Sequence, residues 1–123
     1  MAVPFAAAQS LDFEIYKTKV EPVFLKKREG RARCVVCHSA NNNDLRLEAL
    51  AAGSTTYTEA QSRKNFEVVS KLVRPGDPDK RRLLLHPLAP DAGGDEGHGG
   101  GQQFVSKSDP DWQAIADWVR RAK

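Results

Sequence analysis

Five consecutive residues, Cys34-Val35-Val36-Cys37-His38, have the types and spacing that are most informative about chemistry in this sequence. They form the pattern C-x-x-C-H, which is typical of covalent haem attachment. The two thiols can add across the two vinyl groups of haem, and one helical turn places them on a common face. The adjacent histidine then projects over the iron as the proximal ligand. We therefore predict one haem c, bound covalently by Cys34 and Cys37, with His38 on the iron.

Three other kinds of site use a pair of cysteines at this spacing. A structural zinc site needs four ligands at paired close spacings, but outside the motif only His86 and His98 remain as imidazole ligands. A thioredoxin-type redox pair needs a βαβ context, which the preceding Arg31-Ala32-Arg33 does not indicate. A plain disulfide would leave His38 unexplained. We favour haem, with zinc and a disulfide as the alternatives.

The composition indicates one globular domain. The chain has 123 residues, of which 40% are hydrophobic and 28% charged, with a formal charge of +3. These values are ordinary for a globular protein. No apolar run is long enough to span a membrane, and no basic stripe with interleaved aromatic residues predicts binding to nucleic acid.

Residues 1–10 stand apart from the rest of the chain. Their Ala6-Ala7-Ala8-Gln9 stretch resembles the cleavage end of a secretory signal peptide, although a charged n-region is absent and the apolar part is short. We interpret residues 1–10 as a signal-peptide remnant or a flexible N-terminus, and residues 11–123 as the domain. Because attachment of c-type haem is generally completed outside the cytoplasm, we expect a periplasmic or otherwise exported protein.

The N-terminal half of the domain shows two helical patterns around the haem motif. Apolar residues recur at helical spacing over residues 11–27, and Pro22 predicts a kink or a helix that restarts with proline in its first turn. A short helical turn should present Cys34, Cys37 and His38. Further on, Thr58-x-x-Gln61 is a capping box that predicts a helix to about Val73.

The C-terminal half shows two Asp-Pro pairs that are typical of helix starts. Asp77-Pro78 predicts a short leucine-rich helix that ends at His86-Pro87, and Asp109-Pro110 predicts the last helix. That helix should bury a stripe of four residues: Trp112, Ile115, Ala116 and Val119. Because no convincing strand is found, we predict a small all-α domain.

The order of these parts resembles class I c-type cytochromes, and more narrowly the planctomycete-type single-haem cytochrome c domain. The matching residues are Phe13, Val20, Pro22-Val23-Phe24 and the haem motif, followed near the end by Ile115-Ala116-Asp117-Trp118-Val119. The resemblance implies helices wrapped around one haem, with the last helix packed on the first. It also implies a methionine ligand before the last helix, but the single methionine of this chain is Met1.

Two histidines are candidates for the distal iron ligand. We favour His98, which lies in a glycine-rich segment ahead of Asp109, near where the methionine falls in the family. Its glycine neighbours allow the backbone to approach the haem closely. His86, before Pro87, is the runner-up, and a five-coordinate iron or a weak ligand such as lysine or water is the third possibility.

These observations predict an electron-transfer protein rather than an enzyme. An iron bound by two histidines has no vacant position for a substrate, and loss of an axial methionine lowers the potential. The partners would be redox proteins, and the chain could be one domain of a larger exported protein. The alternative function is a haem-based gas sensor or small haem enzyme with an open or displaceable distal site.

Overall fold

The computed structural model describes residues 10–26, 33–40, 45–79, 81–94 and 103–122, with only the main chain given for Cys37, Ala40 and Arg82. These residues form helices and turns and no β-strand, which confirms the predicted all-α class at this level. No helix in these ranges is long and apolar enough to cross a membrane.

The first helical segment runs without a break through three parts: α1 (Phe13–Ile15), a π-helical turn (Tyr16–Val20) and α2 (Glu21–Leu25). Asp12 caps the segment by accepting a hydrogen bond from Ile15 N at 2.9 Å. In the π-turn, Glu21 N donates to the carbonyl five residues back, that of Tyr16. Pro22 explains the widening because its ring would clash with the carbonyl four residues earlier. Proline lies in the first turn of α2, as predicted.

The remaining helices are α3 (Cys34–Ala40), α4 (Glu59–Ser70), α5 (Arg82–Leu85) and α6 (Pro110–Arg120), with a 3-10 turn at Pro90–Ala92. The predicted capping box begins α4: Thr58 Oγ1 accepts from Gln61 N, and the Gln61 side chain accepts from Thr58 N. Asp109 caps α6 by accepting from Asp111 N at 2.8 Å.

The predicted helix start at Asp77-Pro78 is wrong. Asp77 N instead donates to Arg74 O at 2.9 Å, and Asp77 Oδ1 accepts from Asp79 N at 3.3 Å. These bonds make a turn, in which the aspartate side chain pairs with the main chain two residues later. The short helix begins only at Arg82 and ends at Leu85, before His86-Pro87.

The hydrophobic core joins the first helical segment to α6, and α4 and α5 add further side chains. Trp118 Nε1 donates to Asp12 O at 3.0 Å, and Trp112 Nε1 donates to Leu84 O at 2.8 Å. The rings of Tyr16 and Trp118 lie 5.5 Å apart. The predicted stripe of α6 is buried, and the core comprises Tyr16, Val20, Val23, Phe24, Leu47, Val69, Val73, Leu83, Leu84, Leu88, Phe104, Trp112, Ile115, Ala116, Trp118 and Val119. The core holds α2 in place, and α3 contacts α2.

Candidate functional site: the C-x-x-C-H helix

The C-x-x-C-H motif forms the beginning of α3, a helix of seven residues that contacts α2. The helix begins immediately after Arg33, whose carbonyl accepts a hydrogen bond from Val36 N at 3.0 Å. Val35 is buried, whereas Val36 is 49% exposed, so α3 has one face on the protein and one toward solvent. Because residues four apart lie on the same face of a helix, Cys34 and His38 share a side of α3.

His38 is held by the segment that follows α3. Its Nδ1 lies 2.8 Å from Leu45 O, and its own carbonyl accepts from Leu47 N at 2.9 Å. A carbonyl oxygen can only accept, so Nδ1 must be the donor in this pair. In the neutral imidazole the lone pair for a metal is then on Nε2. A hydrogen bond of this kind from the second ring nitrogen orients histidine ligands in metal proteins.

What the structure describes of Cys34 and Cys37 is compatible with attachment of a group to one face of α3. Cys34 is a thiol of intermediate burial that packs partly against the core. The main chain of Cys37 lies in α3, one turn after Cys34, and its side chain is outside the described residues. The helical spacing i, i+3 gives the two residues neighbouring positions along one face of α3.

Of the two candidate distal histidines, only His86 belongs to the described residues. His86 is partly buried in the turn that follows α5, and His98 lies outside the described residues. The segment directly after His86 is well anchored, since Gln103 N donates to Pro87 O at 2.8 Å and Ala89 N donates to Phe104 O at 2.8 Å. Gly94 N donates to Ala89 O at 3.1 Å. Residues on both sides of 95–102 are therefore bonded to the segment after His86, and the choice of ligand stays a prediction.

Two leucines of the segment after α3 lie close to His38 in the chain and differ in burial. Leu47 is 1% exposed and belongs to the core, and Leu45 packs against that core while partly exposed. The contacts of Leu45 and Leu47 with His38 are made through their main chains.

Other metal sites find no support in the geometry of the described residues. Within these ranges, no group of three or more histidine, cysteine, aspartate and glutamate side chains is placed to hold a metal ion. A zinc site of Cys34, Cys37 and two histidines would need the side chain of Cys37, and one of its histidines would be His86 or His98. That alternative therefore depends in part on groups outside the described residues.

Two of the lysines that precede the motif form surface ion pairs with later parts of the chain. Lys17 Nζ lies 2.5 Å from Glu59 Oε1, and Lys26 Nζ lies 3.2 Å from Asp111 Oδ2. The pKa of Lys17 is raised, and its hydrogen bond to Glu59 is the largest cause. Exposed pairs of this kind add little stability, and each partly neutralises the charge of its lysine.

A cluster of polar side chains that the sequence did not reveal lies between the first helical segment and α4. It consists of Tyr16, Glu21, Tyr57, Ser62 and Asn65, each at most 9% exposed, and is called the polar cluster below. Burial raises the pKa of the Glu21 carboxyl, although the Ser62 side chain lowers it. Burial also raises the pKa of Tyr57 to about 12. A glutamate beside proline on an amphipathic helix gives no sign of burial. The π-turn accounts for the burial of Glu21, because its extra residue shifts which positions of the helix face inward.

Comparison of the chain with protein-family models, with curated proteins and with solved structures gave no match. Any functional proposal for this chain therefore rests on the chemistry of its own residues.

Proposed function

We propose that this chain is a single-haem electron-transfer protein of the c type, with a class I cytochrome c-like helical domain around the haem. The observation that carries the proposal is the Nδ1 to Leu45 O pair of His38, at 2.8 Å, within the C-x-x-C-H helix. A histidine that only packed beside the core would not need this orientation. A proximal ligand does, because Nε2 must be the nitrogen with the lone pair.

Each residue of the motif has a distinct task in this proposal. The Sγ atoms of Cys34 and Cys37 would hold haem c by thioether bonds, in which each S–H adds across one vinyl group and nothing leaves. His38 Nε2 would be the proximal ligand, oriented by the Leu45 carbonyl. When bound, haem supplies one-electron chemistry by cycling between ferrous and ferric iron. The buried side chains of Val35 and Leu47 would limit access of water to this side.

The distal ligand in this proposal is His98, with His86 as the runner-up. Two imidazole ligands would favour ferric iron and a comparatively low potential. They would also fill the coordination sphere, so that neither substrate nor gas could bind without displacing a ligand. This is why the proposal favours a carrier of single electrons over an enzyme.

The partners in this proposal are redox proteins outside the cytoplasm. Val36, 49% exposed beside Cys34 and Cys37 in the sequence, would bring an apolar contact surface near the haem edge. A short distance between that edge and the partner is what electron transfer requires. The location follows from the chemistry of haem attachment and is part of the same proposal.

The test is an absorption spectrum of the protein produced with a c-type haem maturation system. The sample is reduced with dithionite and then exposed to carbon monoxide. We expect a six-coordinate low-spin spectrum that carbon monoxide leaves unchanged. A prompt shift in the wild-type protein would instead favour the sensor or small haem enzyme.

Two single variants identify the distal ligand and serve as controls for each other. His98→Ala should make the reduced protein bind carbon monoxide, whereas His86→Ala should keep the wild-type spectrum. The reverse result would assign His86. If both variants kept the low-spin spectrum, neither histidine would be the ligand.

A further inference from the structure

Two basic segments of the chain meet at one end of the domain. Residues 71–82 contain five lysines and arginines and two aspartates, and residues 117–123 contain three and one. The excess of five positive charges in these segments exceeds the +3 of the whole chain. Gly76 N donates to Val119 O at 2.8 Å, which joins the two segments. Their described cationic side chains are all exposed and are called the basic surface below: Lys71, Arg74, Arg81, Arg120 and Arg121.

The ends of α4 and α6 use part of this charge. Lys71 directly follows α4, and Arg120 and Arg121 lie at the end of α6. The C-terminus of a helix carries about half a negative charge, so two of them offset about one positive charge. Glu67 lies one turn before Lys71 on α4 and offsets at most one more. Stabilisation of the two helix ends therefore leaves more than half of the excess charge unused.

The carboxylates of the two segments do little to neutralise the basic surface. Asp79 Oδ1 accepts from Lys107 Nζ at 3.0 Å, and Lys107 lies outside both segments. Asp77 Oδ1 accepts from Asp79 N at 3.3 Å in the turn. Asp117 Oδ2 lies 3.9 Å from Arg121 Nε, an exposed and long ion pair. Exposed pairs of this kind are weak in water, so a partner's carboxylates can compete for the arginines.

Two arginines of the basic surface are held by the fold. Arg81 Nη2 donates to Lys71 O at 3.2 Å, and Arg120 Nη1 donates to Gln113 Oε1 at 3.3 Å. Because a guanidinium carries five N–H donors in a planar fork, each keeps further donors after this bond. A guanidinium that is already held can pair with a carboxylate through two parallel bonds at a smaller cost in side-chain entropy. This geometry favours a partner whose carboxylates also have fixed positions.

The side chains around the basic surface distinguish between classes of acidic partner. Within the described ranges, the large hydrophobic side chains that are exposed are Val36 and Val105, and neither belongs to the two segments. A helix that lies in a lipid interface buries an apolar face there, and proteins that bind single-stranded nucleic acid stack bases on aromatic side chains. Trp118, the aromatic residue of the second segment, is fully buried. An acidic protein surface therefore fits best.

We infer that the basic surface docks an acidic protein surface, whose carboxylates pair with Arg74, Arg81 and Arg121. The side chain of Arg121 is 63% exposed, and that of Arg74 is exposed as well. Charges at such a surface mainly raise the rate of association and fix the orientation of the partner. Docking needs no haem and is independent of the proposed function.

The experiment measures the affinity of two fluorescently labelled helical peptides for the full-length protein as isolated. One peptide carries glutamates along one face of the helix, and the other has the same composition in scrambled order. We expect the first to bind more tightly. Its affinity should fall with added salt, which shortens the Debye length from about 30 Å at 0.01 M to about 8 Å at 0.15 M. The backbone amide shifts that it causes in NMR spectra should lie in residues 71–82 and 117–123.

A pair of double variants tests the named cations. Arg74→Gln with Arg121→Gln removes two exposed charges of the basic surface and should weaken binding of the first peptide by about fivefold. Lys19→Gln with Lys64→Gln removes two exposed charges elsewhere and should weaken it by less than about twofold. Circular dichroism checks that both double variants keep the fold. If one does not, the comparison of the two peptides and the NMR map on the wild-type protein still decide.

Several results would overturn the inference. One is that the control variant weakens binding as much as the variant of the basic surface. Another is that the scrambled peptide binds as tightly as the ordered one, or that neither binds. Tighter binding to phosphatidylglycerol vesicles or to duplex DNA in the same buffer would assign the basic surface to lipid or to nucleic acid instead.

Discussion

Trp118 is the residue whose replacement tests most directly how the two ends of the domain are joined. Its side chain is 0% exposed, and its Nε1 donates to Asp12 O at 3.0 Å. Its ring lies 5.5 Å from that of Tyr16 and 6.2 Å from that of Phe66, measured between centroids. Trp118→Ala removes these contacts and leaves a cavity, while Trp118→Phe keeps an aromatic ring and removes only the donor and part of the volume.

The expected losses follow from these contacts. A buried tryptophan replaced by alanine costs about 3–5 kcal/mol, and one neutral hydrogen bond contributes about 1 kcal/mol. Trp118→Phe should therefore lose about 1–2 kcal/mol, because Asp12 O keeps its bond from Tyr16 N at 3.0 Å. With a urea dependence of about 2 kcal/mol per molar, the midpoint should fall by about 2 M for alanine.

The assay is urea unfolding followed by far-ultraviolet circular dichroism on the full-length protein as isolated. Val105→Ala is the control, since Val105 is 67% exposed and its replacement should change the free energy of unfolding by less than about 0.5 kcal/mol. If Trp118→Ala cost no more than the Val105 control, the packing of the first helical segment on α6 would be refuted. If phenylalanine and alanine cost the same, the hydrogen bond and not the ring would carry the stability.

Three further predictions concern pH, capping and chain packing. Burial raises the pKa of the Glu21 carboxyl above its ordinary value of 4.5. Glu21 therefore makes its full contribution to the free energy of unfolding below pH 4.5. The contribution is lost as the pH rises through the folded-state pKa, so urea titrations from about pH 4 to pH 8 should show a decline that Glu21→Gln reduces. Thr58→Ala should cost about 1 kcal/mol by removing the cap of α4, whereas Thr58→Ser should stay close to the wild type in the same assay. At Gly94 a Cβ atom would lie 2.0 Å from Leu88 O, while at Gly53 it would meet nothing within 4 Å. Gly94→Ala should therefore lower the midpoint of thermal unfolding more than Gly53→Ala, where only the left-handed φ of +78° opposes the change, and equal effects would contradict the packing.

Local signals in the sequence predicted those elements whose causes are local. The capping box of Thr58 and Gln61, the cap at Asp109 and the buried stripe of α6 are present as expected. In each case a side chain pairs with main-chain groups two or three residues away, or apolar residues recur at helical spacing. Neither feature depends on the rest of the fold.

The two failures have different causes, one local and one in the tertiary packing. Asp77-Pro78 has the same composition as the helix start at Asp109-Pro110, but the bond from Asp77 N to Arg74 O closes a turn first. The polar cluster depends on the π-turn, which brings Glu21 to face Ser62 from a distant part of the chain. Burial of a charged residue by tertiary packing is not written in its neighbours.

The candidate site was proposed from residue types and spacing alone, whereas the contacts that position His38 came from the structure. The spacing of Cys34, Cys37 and His38 indicates haem attachment without any knowledge of the fold. The carbonyl that orients His38 belongs to Leu45, and no sequence pattern marks which main-chain oxygen will accept a hydrogen bond from a histidine ring. The distal ligand stays a prediction, because His98 lies outside the described residues.

The central claim is that Cys34, Cys37 and His38 hold one covalently bound haem. The most direct test is the intact mass of the denatured chain after expression with a c-type haem maturation system. We expect the mass of the polypeptide plus one haem, with neither Cys34 nor Cys37 open to alkylation. Replacing both cysteines by alanine should give the mass of the bare polypeptide. A wild-type chain that carries no added haem and has two thiols open to alkylation would contradict the claim.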